Sequence, residues 1–147
     1  MLSEFFDNNR IKLDLESRTK DGVLGELVEI ITGSCSEYNK QELLEAVASR
    51  ESKMTTTIMP GIAVPHGYCQ TVHGIIGAIG FSREGIEFDN SDRSPVHLFF
   101  VLVMDESSRE LNLKVFSRIL EMLNSTNLNQ ISGMASSQEL YDLLCRF

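Results

Sequence analysis

Gly61-Ile62-Ala63-Val64-Pro65-His66-Gly67 places a histidine at the end of a short apolar run, directly after a proline and before a glycine. Proline fixes its own φ and presses Val64 toward extended geometry. Gly67 is expected to let the chain turn sharply. The histidine then sits at a strand edge in a nearly rigid backbone, its ring toward a loop region. That arrangement suits a nucleophile better than a core residue. Near neutral pH an imidazole is mostly unprotonated, its ordinary pKa being about 6.5. One ring nitrogen can attack phosphorus while a hydrogen bond holds the other. The phosphorylated ring carries negative charge and needs donors: backbone amides, an arginine, hydroxyls or a helix N-terminus.

Such donors exist in the chain, each with a structural alternative. Arg50 ends an expected Asn39–Ser49 helix upstream of the strand leading to His66, where it also serves as a helix C-terminal cation. Thr55, Thr56 and Thr57 offer hydroxyls, and equally plain β propensity. Asn112 falls in the first turn of a later helix, where spacing alone favours a solvated helix end. His97 lies inside a long apolar strand and reads as structural, satisfied by a neighbour. His73, in Thr71-Val72-His73-Gly74, reads as a solvated loop residue. Cys69, three residues after His66, raises a Cys/His metal site, but no further ligands stand at zinc-like spacing. The cysteines read as small, partly buried hydrophobes.

The elements that must position these groups follow from length and pattern. The 147 residues suffice for one domain, 1–147, with a real core. The apolar fraction of 42% and charged fraction of 23% are ordinary for a globular chain. A formal charge of −8 disfavours nucleic acid and anionic membranes and favours a basic protein partner. No apolar run reaches the ~18 residues of a membrane span. The N-terminus lacks the basic and apolar regions of a signal peptide. With three cysteines and no C-x-x-C pair, a disulfide framework is not expected, and a cytoplasmic setting is.

Ile11–Leu15 alternates like a strand. Asp21–Ile31 has a helical apolar face, with Gly33 as its stop signal. Asn39 and Glu42 form an expected capping box before a short helix. Thr55–Ile58 and Gly61–Val64 are β-prone around a proline. Ile75–Phe81 reads as a buried strand, Ile86 and Phe88 as a brief one, and Asp89-Asn90-Ser91-Asp92 as a turn. Val96–Met104 is the strongest strand, apolar enough to be covered on both faces. Glu110–Leu123 has helical periodicity, and Ser136 with Glu139 opens a last helix. The sum is an α/β fold: a mixed sheet of four or five strands with helices on both faces, a three-layer sandwich.

On these residues the chain resembles the enzyme IIA domains of the mannitol/fructose class of the bacterial sugar phosphotransferase system, including the nitrogen-related branch. The matching pieces are Arg50-Glu51, Thr55-Thr56, Gly61–His66, Ile86-Glu87-Phe88-Asp89, Ser94–Phe100, the helix from Asn112 onward, and Ser137–Tyr141. The resemblance spans Leu2 to Leu144. It implies that His66 accepts a phosphoryl group from an HPr-like phosphocarrier and passes it to a IIB domain during carbohydrate uptake. The alternative is a regulatory protein, with binding gated by His66 phosphorylation or independent of it. The resemblance also implies Arg50 and Thr56 as phosphate-side support, no metal or organic cofactor, and no direct membrane insertion. Where such domains commonly open the late helix with a second histidine, this chain has Asn112, which can donate a hydrogen bond but cannot ionise near neutrality. Ile58-Met59-Pro60 stands where the family often has a Gly-rich stretch.

Overall fold

The computed structural model describes residues 1–89 and 93–147. Asn90, Ser91 and Asp92 of the expected turn lie outside the described residues. The sheet has six strands: β1 (Ile11–Lys12), β2 (Thr57–Met59), β3 (Ile62–Ala63), β4 (His66–Tyr68), β5 (Ile75–Ile86) and β6 (Val96–Met104). Their order is β1-β5-β6-β3-β2, with β4 also paired to β6. β5 and β6 are antiparallel, β2 and β3 are antiparallel, and β3 and β4 run parallel to β6. The helices are α1 (Lys20–Ser34), α2 (Lys40–Lys53), α3 (Arg109–Ser125), α4 (Leu128–Ser132) and α5 (Ser137–Leu144).

The centre of the sheet follows from the composition of β6. Leu98, Phe100, Leu102 and Met104 pack into one cluster with Val115, Ile119 and Met122 of α3 and Leu140 and Leu144 of α5. Val96, Phe99, Val101 and Val103 enter a second cluster with Val23, Leu27 and Ile31 of α1 and Leu43 and Val47 of α2. From Leu98 onward successive residues point to opposite faces, so this strand, apolar but for His97, feeds both cores. A mixed sheet sandwiched between helices is the expected class of fold.

Several boundaries differ from expectation, for local reasons. α1 runs through Gly33 to Ser34, because Cys35 provides the terminus with its N–H on the Ile31 carbonyl. α2 continues past Ser49 to Lys53, and Arg50 lies in its last turn. Asn39 caps α2 at the Glu42 N–H, 3.1 Å, but the Glu42 carboxylate accepts from Thr71 instead of closing the box. Ser136 makes no side-chain cap on α5; the Glu139 carboxylate accepts from the Ala135 N–H, 3.3 Å. Ile86 belongs to β5, which shifts register between Phe81 and Ile86, and Phe88 is buried beyond the strand end. The extra strand relative to the expected four or five is one of several two- or three-residue ladders.

One such ladder is the β2–β3 hairpin. Its turn is Pro60-Gly61, with Gly61 at φ +84. Proline followed by a positive-φ glycine is the sequence of a type II turn. At the far end of β6, Asp105 fixes the approach to α3. Its carboxylate accepts from the Gly74 N–H at 3.0 Å and from the Ser108 hydroxyl at 2.6 Å. These bonds, with the Ser107 hydroxyl, outweigh desolvation and hold the Asp105 carboxyl at about 2.

Candidate functional site

β3 and β4 are one strand broken in the middle. Ala63 faces Phe99 and His66 faces Leu102, so the register on β6 is the same on both sides of the break. Within the break, Val64 N–H donates to Thr56 O at 3.0 Å, and Pro65 O accepts from Leu102 N–H at 2.9 Å. The Val64 carbonyl is thereby released from the ladder. It accepts a hydrogen bond from His66 Nδ1 at 2.9 Å. A carbonyl oxygen can only accept, so Nδ1 carries the hydrogen and Nε2 keeps its lone pair.

Gly67 does not turn the chain as expected. It lies inside β4, and its φ is not positive. A Cβ there would come within 2.5 Å of the Ala46 carbonyl group and 2.8 Å of Val47 N. The glycine lets β4 rest directly on the α2 backbone, which presses the site against that helix.

The His66 ring is half-buried. Phe116 of α3 meets it edge-on, with centroids 5.2 Å apart and planes at 82°. Burial is the largest influence on the imidazole and depresses its pKa. The Val64 carbonyl acts against this, Arg50 adds to the depression, and Glu51 opposes it. The balance lies below the ordinary 6.5, so the ring is neutral at pH 7 and able to act as a nucleophile.

Arg50 and Glu51, adjacent in the last turn of α2, diverge. One guanidinium nitrogen of Arg50 donates to Met54 O at 3.0 Å, and its charge is felt at the His66 ring. Glu51 points inward and is 4% exposed. It accepts the Thr56 N–H at 3.1 Å, the Thr56 hydroxyl at 2.6 Å, and the Lys20 ammonium at 3.1 Å. The Thr56 hydroxyl is thus already used as a donor. Thr55 and Thr57 hydroxyls bond to each other at 3.0 Å, and Thr55 also donates to Phe88 O.

Asn112 is 7% exposed, not on a solvated helix end as its spacing suggested. It stands one helical turn before Phe116, on the same face of α3. Its Oδ1 is buried and has no hydrogen-bond partner among the described residues. His97 Nδ1 lies 2.7 Å from the Ser82 carbonyl, and the ring stacks on Phe81, a structural histidine as read. His73 is exposed.

Sequence reasoning gave Glu51, Lys20 and Phe116 no role at the site. The signal for Glu51 was present: the buried face of α2 is Leu43, Val47, Glu51, a spacing of four that carries a carboxylate inward. Asn112 likewise stands in register with buried Val115, Ile119 and Met122.

A histidine with one nitrogen tied to backbone, beside an arginine at a helix end, is an arrangement chemically able to accept a phosphoryl group. Residues 4–146 match the family described as phosphoenolpyruvate-dependent sugar phosphotransferase system, EIIA 2. The chain belongs to that family. It is 28% identical over 144 residues to the fructose-specific EIIABC component of Bacillus subtilis, covering 97% of this chain and 23% of that protein. The chain therefore spans about a quarter of that relative's length. The crystal structure of nitrogen regulatory protein IIA-Ntr from Neisseria meningitidis superposes with a TM-score of 0.87 at 26% identity, covering 97% of this chain and 98% of that one. Enzyme IIAMTL of Escherichia coli, solved in complex with phosphorylated enzyme IIBMTL, shares the fold at a TM-score of 0.79 and 18% identity, over 97% and 100% of the two chains. Among the described residues, no helix is long and apolar enough to cross a membrane.

Proposed function

We propose that this protein carries a phosphoryl group on Nε2 of His66, taking it from an HPr-like phosphocarrier and passing it to a IIB domain in carbohydrate uptake. The observation that carries this reading is the His66 Nδ1–H bond to the Val64 carbonyl, which leaves the other nitrogen's lone pair for phosphorus. In the transfer the Nε2–P bond forms as the donor's bond to phosphorus breaks, its electron pair returning to the donor. The hydrogen stays on Nδ1 and remains donated to the Val64 carbonyl, which stabilises the positive charge growing on the ring. Onward transfer reverses these roles.

Arg50 supplies a cationic donor for the phosphoryl oxygens, a charge-assisted bond roughly twice as strong as a neutral one. Asn112 stands in place of a second histidine as a neutral helper. Thr56, its hydroxyl held by Glu51, supports the site through the backbone. No metal or organic cofactor enters, because positioning and electrostatics suffice for such a transfer. The setting is cytoplasmic. Tyr68, two residues past His66 on β4 and 36% exposed, belongs to the face that meets partners. The Arg109 guanidinium lies 5.0 Å from the centroid of its ring.

The likeness to IIA-Ntr, covering nearly all of both chains, favours a second reading. Here the protein binds a regulatory partner, and adding about −1.5 to −2 charges at His66 gates that contact. Incubation with phosphoenolpyruvate and the general phosphotransferase proteins, followed by intact mass, tests the first reading. Wild type gains one acid-labile phosphate and His66→Ala gains none. Undiminished phosphate on His66→Ala overturns the assignment. Capture of one partner equally by wild type and His66→Ala, unaffected by phosphorylation, would leave an ungated binding module.

A further inference from the structure

A continuous set of hydrogen bonds runs from the far side of α2 to the imidazole. Lys20, the first residue of α1, places its ammonium 3.1 Å from Glu51 Oε1. The same ammonium donates to Phe88 O at 3.4 Å and sits 4.4 Å from the centroid of the Phe88 ring. Asp89 Oδ2 is further off, at 3.8 Å. The Glu51 side chain is 2% exposed. Both its oxygens grip Thr56, one at the N–H and one at the hydroxyl. The Thr56 carbonyl in turn holds the Val64 N–H at 3.0 Å, and the Val64 carbonyl holds His66 Nδ1 at 2.9 Å.

Desolvating a carboxylate and an ammonium costs free energy, and replacing such a pair with apolar residues is often neutral or stabilising. Stability alone is therefore a weak reason for a buried pair here. Its placement supplies another. Glu51 clamps the residue immediately before β2 at two points, and that residue's carbonyl ties down the Val64 N–H within the break. Pro65 restricts Val64 from the other side. The aim of the Val64 carbonyl, and with it the ring's tautomer, depends on where Thr56 is held.

We propose that the Lys20–Glu51 ion pair is a positioning element for His66, acting through Thr56 and Val64 to keep the hydrogen on Nδ1 and the lone pair on Nε2. The inference rests on the reading of His66 as phosphoryl acceptor, but its first readout does not need phosphate. The test uses Glu51→Gln, Lys20→Met and Thr56→Val in the full chain. ¹⁵N shifts of the His66 ring are recorded at a pH where it is neutral. Wild type is expected to show a protonated Nδ1 and a bare Nε2. In each variant the two shifts draw together as the other tautomer is admitted. Phosphoryl uptake then loses at least threefold in kcat, with the KM for the donor protein unchanged.

Lys20→Met removes only the ammonium of a side chain that is 20% exposed and keeps the test open if Glu51→Gln does not fold. Wild-type ring shifts in all folded variants would overturn the proposal, as would a loss confined to KM. Should wild type take up no phosphate, the proposed function fails, while the ring shifts still decide the positioning role.

Discussion

Gly67 lies against Ala46 so closely that a single added Cβ would stand 2.5 Å from both the carbonyl carbon and oxygen of that residue. The obstacle is helix backbone, which cannot rotate aside as a side chain can. Gly67→Ala therefore must push β4 away from α2. The expected cost is about 1–3 kcal/mol, the usual range for overpacking, read as a lower urea midpoint with an unchanged m value. Because His66 is the next residue, phosphoryl uptake falls as well. A midpoint equal to wild type would mean that α2 retreats freely.

His66 is expected to titrate below its ordinary 6.5, chiefly through burial, with Arg50 adding to the effect. Arg50→Gln removes the cation and raises the titration midpoint, measured by NMR of the ring, while slowing phosphoryl uptake. The consequence for stability has a definite sign. Above about 6.5 the ring is neutral in both folded and unfolded chains, and no penalty arises. As pH falls below that value the unfolded chain takes up the proton first, so this group increasingly destabilises the fold on acidification. A midpoint at or above 6.5 in wild type would contradict the buried geometry.

Asn112 presents a buried oxygen with no partner among the described residues, which costs about 1–3 kcal/mol relative to a satisfied or apolar group. Asn112→Leu, similar in size, is expected to hold or raise the melting temperature. If Asn112 has the proposed role of neutral helper, phosphoryl uptake falls in the same variant. A clear drop in melting temperature would instead mean that the amide anchors α3.

Tyr68 separates binding from chemistry. Its ring is accessible and lies beneath Arg109, away from the Nδ1 bond. Tyr68→Ala is expected to raise the KM for a phosphorylated donor several-fold with kcat nearly unchanged. A fall in kcat alone would place the ring in the transfer step.

Much of this was legible in the residues. β6 announced itself through a nine-residue run that is apolar but for His97, and the Pro65-His66 pair marked the candidate site. The helices of the two layers followed from their apolar periods. What stayed hidden depended on distant partners. Gly67 looks like a turn residue until the α2 backbone is seen pressed upon it. Asn112 looks solvated because a first-turn polar residue usually is, yet it lies in register with the buried face of α3. Glu51 is a charge among charges in sequence, and Lys20, far upstream, joins Thr56 in making its burial tolerable. The short β4 lacked the length that periodicity needs.

The outermost strands of the sheet, β1 and β2, are two and three residues long, and the β2 hairpin is closed by Pro60. Neither border offers the long row of bare amides and carbonyls on which a foreign strand could add itself. Crowded copies of this protein are thus protected from zipping together edge to edge, and its encounters with other proteins are left to side chains on the surface.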